Sequence, residues 1–110
     1  MAQNVNLLVF PVDDGEKAKT FYTTFLGVEP YVDSPYYIGY RVGEQEIGLD
    51  PNSNVGPIGY VDVADIRSRL EDMTNAGGEI VQDVKDVGRG LLVAQIKDAD
   101  GNVVGFRQQT

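Results

Sequence analysis

The chain has 110 residues, of which 42 % are hydrophobic and 24 % charged, the composition of one folded domain that buries roughly two-thirds of its unfolded surface. It has no cysteine, which excludes disulfides and thiolate metal sites, and no histidine, which removes the commonest neutral-pH base and the commonest metal ligand. Seventeen acidic against nine basic residues leave a net charge of −8, which repels a phosphate backbone and argues against nucleic-acid binding. The same charge suits a cationic ligand, or simply keeps the protein soluble. No apolar run reaches the length of about 20 residues that a membrane helix needs, and Met1-Ala2-Gln3-Asn4 lacks a basic, apolar leader. A soluble, cytoplasmic protein without membrane contact is expected.

Val5–Val12 is β-branched and apolar and predicts a strand ending at Pro11. Asp13-Asp14-Gly15-Glu16 predicts a helix start with Asp14 as N-cap, and Gly27 a C-terminal stop. Ala18, Phe21, Tyr22 and Phe25 recur at helical spacing and predict its buried face. Short strands follow at Pro30–Asp33, Tyr36–Val42 and Gln45–Asp50, with turns at Ser34-Pro35 and Gly43-Glu44. Pro51–Pro57 is rich in breakers and reads as a linker. The order then repeats: strand Ile58–Val63, N-cap Asp65, a helical face of Ile66, Leu70 and Met73, a stop at Ala76-Gly77-Gly78. Strands at Glu79–Val84, Gly90–Lys97 and Val103–Gln108 complete it.

The repeat has a fixed period. Val12-Asp13-Asp14 returns as Val63-Ala64-Asp65, 51 residues later, and Gly27 returns as Gly78 at the same spacing. A chain written twice as strand–helix–strand–strand–strand predicts an α+β fold of two βαβββ modules, residues 1–54 and 55–110, within a single domain.

Four motifs carry a resemblance: Val12-x-Asp14, Phe21-Tyr22-x-x-Phe25-Leu26-Gly27, Ala76-Gly77-Gly78, and the ending Asp98-Ala99-Asp100-Gly101-Asn102 followed by the strand to Gln108. Together they resemble the vicinal oxygen chelate superfamily, the glyoxalase, bleomycin-resistance and extradiol dioxygenase group, across essentially the whole chain. The resemblance implies a curved mixed sheet around a cavity, and for chains of this length a homodimer, often with sites at the subunit boundary. It also implies four metal-ligand positions, which fall here on Leu7, Gly48, Ile58 and Gly105. None has a side-chain donor for a divalent cation, so the usual metal site is absent and no cofactor is expected.

Strand alternation divides the remaining candidates. Leu8, Phe10, Val12, Val61 and Val63 would pack under the helices. The opposite, cavity-side face would carry Leu7, Glu46, Gly48, Asp50, Ile58, Tyr60, Gly105 and Arg107. Glu46 and Asp50 could hold Mg²⁺ or Ca²⁺, or instead pair with Arg107 or face solvent. Gly48 and Gly105 either open the cavity floor to a flat ligand or mark bulges in their strands. Tyr31, Tyr36, Tyr37 and Tyr40 crowd into ten residues with Tyr60 in the second module, and tyrosine suits aromatic ligands. Tyr37 and Arg41 share one face of their strand; Tyr36, Ile38, Tyr40 and Val42 share the other.

Two lures are set aside: Asp98–Asn102 has calcium-loop residues at the wrong spacing and reads as a turn, and Gly88-Arg89-Gly90 is too short to cradle a phosphate and leads into a strand. The leading expectation is a non-catalytic protein that sequesters a hydrophobic or aromatic, possibly cationic, small molecule, similar to the metal-free bleomycin-resistance branch, with its link to antibiotic resistance. Its ligand would contact Leu7, Tyr37, Glu46, Gly48, Asp50, Ile58, Tyr60, Gly105 and Arg107. The alternative is a lyase, isomerase or dioxygenase-like enzyme of the same superfamily, with Glu46 or Asp50 as base and Tyr60 or Arg107 stabilising an anion. A third reading is a protein-interaction dimer with a vestigial cavity.

Overall fold

A computed structural model describes residues 3–110, so the reading of Met1 and Ala2 lies outside the described residues. Within them run β1 (Val5–Pro11), α1 (Gly15–Leu26), β2 (Val32–Asp33), β3 (Ile38–Val42), β4 (Gln45–Asp50), β5 (Ile58–Asp62), α2 (Ile66–Asn75), β6 (Glu79–Asp86), β7 (Leu91–Lys97) and β8 (Val103–Gln109). This is the α+β order the repeat predicts, strand–helix–three strands written twice. The chain forms two compact units, a first of Asn6–Ile58 and a second of Gly59–Thr110 with Val5.

In the first unit the strand order is β2-β3-β4-β1. β4 pairs antiparallel with β3 through the tight turn at Gly43, and parallel with β1, the connection that requires a crossover helix. That helix is α1. Asp14 caps it, accepting from the amides of Glu16 (3.1 Å) and Lys17 (3.2 Å), and Gly27 ends it at φ +75° with its N–H on the Thr23 carbonyl. Ile38, Tyr40 and Leu49 are fully buried beneath it, with Phe10, Val12, Ala18, Tyr22 and Leu26 packed around them. Burying one such Leu or Ile is worth about 1.5–3 kcal/mol. The Tyr40 hydroxyl donates to the Lys19 carbonyl (3.0 Å) and meets Thr23 Oγ1 at 2.8 Å, so a buried phenol ties β3 to the backbone of α1.

The helix does not bury the face its pattern predicts. Ala18, Tyr22 and Leu26 form one i, i+4 line against the sheet, while Phe21 and Phe25, a step of about 100° round the helix, are 63 % and 73 % exposed. Tyr36 is also exposed and precedes β3, which begins at Ile38 rather than at Tyr36.

In the second unit the order is β5-β8-β7-β6, with β5 and β8 parallel across α2. Val63, Ile66, Leu70, Ala94, Ile96 and Phe106 make its core. Asp65 caps α2 by accepting from the Ser68 amide, and Gln108 Oε1, from β8, takes the Ile66 N–H at 2.7 Å. Gly77 (φ +100°) and Gly78, whose N–H reaches the Met73 carbonyl, complete the predicted stop. β6 runs to Asp86, two residues beyond expectation, with irregular register against β7. Gly88, Arg89 and Gly90 all have positive φ and form the β6–β7 hairpin turn that leads into β7, which begins at Leu91 rather than at Gly90. Asp98–Asn102 is the predicted turn: Asp98 accepts from the amides of Asp100 and Asn102 and from the Asn102 side chain. Among the described residues no helix is long and apolar enough to cross a membrane.

Candidate functional site

The four positions that the resemblance assigns to metal ligands lie where alternation placed them, Leu7 on β1, Gly48 on β4, Ile58 on β5 and Gly105 on β8. Leu7 and Ile58 are buried hydrocarbon, and the glycines offer no side-chain donor. Among the described residues no group of three or more carboxylate, histidine or cysteine side chains is arranged to hold a metal ion. The donor set does not fit the family's metal.

In the first unit one row of residues crosses the sheet as Val9, Gly48, Gly39 and Val32 on β1, β4, β3 and β2. Gly48 and Gly39 are direct cross-strand partners, so two missing side chains leave a flat floor. Tyr37 fills it: a Cβ at Gly48 would lie 2.6 Å from Tyr37 Cζ, and one at Gly39 would lie 3.3 Å from both Tyr37 Cε2 and Tyr31 Cε1. Tyr37 is aimed by the turn before β3, where Ser34 Oγ accepts from the amides of Tyr36 and Tyr37 and the Ser34 N–H meets the Tyr37 carbonyl. The next row on this face is Leu7, Glu46 and Arg41. Tyr31 donates its hydroxyl to Glu46 Oε1 at 2.7 Å, Arg41 lies 3.7 Å from the same oxygen, and the guanidinium stands 4.3 Å over the Tyr31 ring. The face therefore combines two phenol rings with a carboxylate held at a fixed place. Asp50, at the end of β4, serves the chain instead: its Oδ1 accepts from the Asn52 amide at 2.8 Å.

The second unit repeats the device with other parts. Gln95, Gly105 and Tyr60 form a row across β7, β8 and β5. The Tyr60 ring folds onto Gly105, where a Cβ would also meet the Ala94 carbonyl at 3.0 Å, and Gln95 Nε2 donates to Tyr60 Oη at 2.8 Å. One row on, Arg107 grips Asp62 with two bonds, Nε to Oδ1 at 2.7 Å and Nη2 to Oδ2 at 3.2 Å. Gly48 and Gly105 thus do not expose bare backbone. The space above each holds a tyrosine of its own unit, because a strand glycine accepts a ring flat against the sheet. A molecule on either face meets aromatic rings rather than peptide.

Grooves also lie elsewhere among the described residues. One of about 360 Å³ beside the start of α1 is rimmed by Asp14, Glu16 and Asp33, but Asp14 caps the helix and the other two hold Lys19 (3.4 and 3.0 Å), whose pKa is raised chiefly by the Asp33 hydrogen bond. Another, of about 310 Å³, runs between α2 and β6 past Leu70, Ile80 and Val84.

Sequence reasoning named Tyr37, Glu46, Gly48, Tyr60, Gly105 and Arg107, and offered Arg107 as a partner for Glu46 or Asp50; it did not foresee the Arg107–Asp62 or Tyr31–Glu46 pairs. It passed over Gly39, Gln95 and Asp62, and it left Tyr31 undecided among four tyrosines. Gly39 carried a usable signal, a glycine among four tyrosines on a strand antiparallel to the one bearing Gly48.

Comparison with known proteins follows the same lines. Among solved structures, hypothetical protein BH1468 from Bacillus halodurans C-125 is 18 % identical, with a TM-score of 0.79 over 100 % of this chain and 96 % of that one. A glyoxalase/bleomycin resistance protein/dioxygenase superfamily member from Vibrio splendidus 12B01 is 17 % identical, with a TM-score of 0.72 over 94 % and 97 %. The methylmalonyl-CoA epimerase of Streptomyces coelicolor is 11 % identical, with a TM-score of 0.75 over 100 % and 96 %. At these identities the likeness is one of fold. No curated protein matches. The family model of the Glyoxalase/Bleomycin resistance protein/Dioxygenase superfamily matches residues 4–106. With the duplicated βαβββ order and that match over nearly its whole length, the chain belongs to the glyoxalase/bleomycin resistance protein/dioxygenase superfamily.

Proposed function

We propose that this chain is a metal-independent binding protein for a small, flat, aromatic and cationic molecule, of the sequestering kind represented by bleomycin resistance. The observation that carries the reading is the face of the first unit, where Tyr31 and Tyr37 lie over the glycine pair Gly39–Gly48 and Tyr31 fixes the Glu46 carboxylate at 2.7 Å. Phenol rings offer a cation the negative side of their π-systems, worth about 0.5–2 kcal/mol, and a cationic ligand would take over from Arg41, which already stands 4.3 Å over the Tyr31 ring and 3.7 Å from Glu46 Oε1. The net charge of −8 draws such a ligand in at long range. Hydrocarbon and glycine at the four metal positions support independence from a divalent cation.

The test is fluorescence titration with a phenanthridinium dye in the presence of EDTA, beside an uncharged ring of the same size. Binding that survives the chelator, favours the cation, and weakens about tenfold in Glu46→Gln and in Tyr37→Ala is the expected result. Binding that requires Mg²⁺ or Mn²⁺, or that is indifferent to Glu46→Gln, overturns the proposal.

A further inference from the structure

Two arginine–carboxylate pairs lie on the sheet faces turned away from the helices, and they differ in kind. In the second unit the Arg107 side chain is 14 % exposed and grips Asp62 through two bonds of 2.7 and 3.2 Å, a clamp between β8 and β5. In the first unit Arg41 and Glu46 are direct cross-strand partners on β3 and β4, yet the Arg41 side chain is 55 % exposed. Its Nη2 stops 3.7 Å from Glu46 Oε1, beyond hydrogen-bond distance. The guanidinium stands instead 4.3 Å from the centre of the Tyr31 ring.

The seat is better fixed than its occupant. Tyr31 is held at both ends, its N–H on the Gly39 carbonyl at 2.8 Å and its hydroxyl on Glu46 Oε1 at 2.7 Å. Glu46 belongs to β4, which lies between β1 and β3, and its side chain is 15 % exposed. Ring and carboxylate are therefore set by groups other than Arg41, and the seat persists when the guanidinium leaves. An exposed ion pair and an exposed cation–π contact each hold Arg41 only weakly.

A seat that fits a guanidinium fits the cations that share its plane, its delocalised charge and its paired N–H groups, the amidinium and guanidinium heads. A head that is not tethered to β3 closes the remaining distance and donates directly to the carboxylate, which Arg41 does not. One row along the same strands, about 7 Å away, Tyr37 lies over Gly39 and Gly48. An aromatic body attached to the head would rest on that second phenol.

We propose that Arg41 is an internal stand-in for the ligand, holding the seat of Tyr31 and Glu46 until an aromatic amidine or guanidine displaces it. Arg41 thereby determines specificity. A cation that both stacks and hydrogen-bonds better than the resident guanidinium enters, and one that carries charge alone does not. The inference rests on the ligand reading of this face and narrows it to one class of cation.

Fluorescence titration with the aromatic diamidine DAPI tests it, in the unaltered chain, Arg41→Ala, Arg41→Lys and the double variant R41A/E46Q. Arg41→Ala is expected to tighten binding about fivefold, and Arg41→Lys, which keeps the charge but not the planar head, about twofold. The double variant loses the gain. In Arg41→Ala, millimolar guanidinium chloride competes with the dye and the same concentration of tetramethylammonium chloride does not. Arg41 is half exposed, and unchanged thermal unfolding of the variants separates a vacated seat from an altered fold. Binding that weakens or stays the same in Arg41→Ala overturns the inference while the ligand reading stands. So does a gain in Arg41→Ala with none in Arg41→Lys, which assigns the effect to net charge. Dye bound by Arg41→Ala and refused by the unaltered chain supports the inference and overturns the ligand reading, and dye refused by every variant overturns both.

Discussion

The two units solve one packing problem in two ways. Each has a strand glycine on the sheet face away from its helix, and each covers it with a tyrosine. In the first unit the ring comes from a turn: Tyr37 precedes β3 and reaches back over Gly48 and Gly39 with the outer end of its side chain. In the second, Tyr60 stands on β5 directly opposite Gly105, and its hydroxyl is tied to Gln95 on the far side of the row. The repeat has kept a seat for a phenol and changed the segment that delivers it, a turn in the first unit and a strand in the second. The helices are anchored by a similar exchange of parts. Tyr40 of β3 reaches the Lys19 carbonyl of α1, and Gln108 of β8 reaches the Ile66 amide of α2.

The comparison is broken or sharpened by four measurements, beginning with the largest effect. Gly105→Ala is expected to destabilise by about 3 kcal/mol, because the new Cβ meets both the Tyr60 ring and the Ala94 carbonyl. Gly48→Ala meets only the movable end of Tyr37 and is expected to cost about 1 kcal/mol while raising the solvent exposure of that ring. Urea unfolding gives the energies and acrylamide quenching the exposure, and equal losses at the two glycines contradict the difference that the Ala94 carbonyl makes. Tyr40→Phe removes a buried hydroxyl from two partners and is expected to cost about 1–2 kcal/mol. Gln108→Ala leaves the Ile66 N–H without its side-chain acceptor and is expected to cost about 1 kcal/mol, with the loss appearing in hydrogen exchange at the first turn of α2.

The smallest effect is one of pH. The Asn102 side chain and amide hold the Asp98 carboxyl below its ordinary value of about 4. A lowered folded-state value means that the turn gains stability above the unfolded value and loses it as pH falls through the folded one, so the β7–β8 turn weakens only below about pH 4. An NMR titration of Asp98 in Asn102→Ala should show its midpoint move up toward the ordinary range, and an unmoved midpoint assigns the effect to another group.

Local signals made much of the fold legible. Asp14, Asp65, Gly27 and Gly78 mark helix ends by chemistry that acts within four residues, and their common spacing of 51 exposes the duplication. The family motifs then named the fold. What stayed hidden depends on residues far apart in sequence. Arg107 and Asp62 are 45 residues apart and meet because β5 and β8 pair in parallel, and the 35 residues between Tyr60 and Gln95 are closed by β8 lying between their strands. Helical spacing showed that α1 is amphipathic but not how wide a stripe the sheet covers, so Phe21 and Phe25 were expected inside and lie outside. Alternation placed Gly48 and Gly105 on the proper face, yet nothing in a strand pattern says that a tyrosine will occupy the vacated volume. The tyrosines divide by the same logic: Tyr40 is core, Tyr36 is surface, and Tyr31 and Tyr37 lie over the glycine pair.

The most direct test of the central claim is native mass spectrometry of chain purified without added metal, with a denaturing spectrum and metal analysis of the same sample. The account predicts less than a tenth of an equivalent of any divalent metal, and a one-to-one adduct when a phenanthridinium cation is added, lost in Glu46→Gln. A stoichiometric divalent metal that survives buffer exchange, with no adduct until that metal is present, contradicts it and makes the Glu46 carboxylate the first candidate for its ligand.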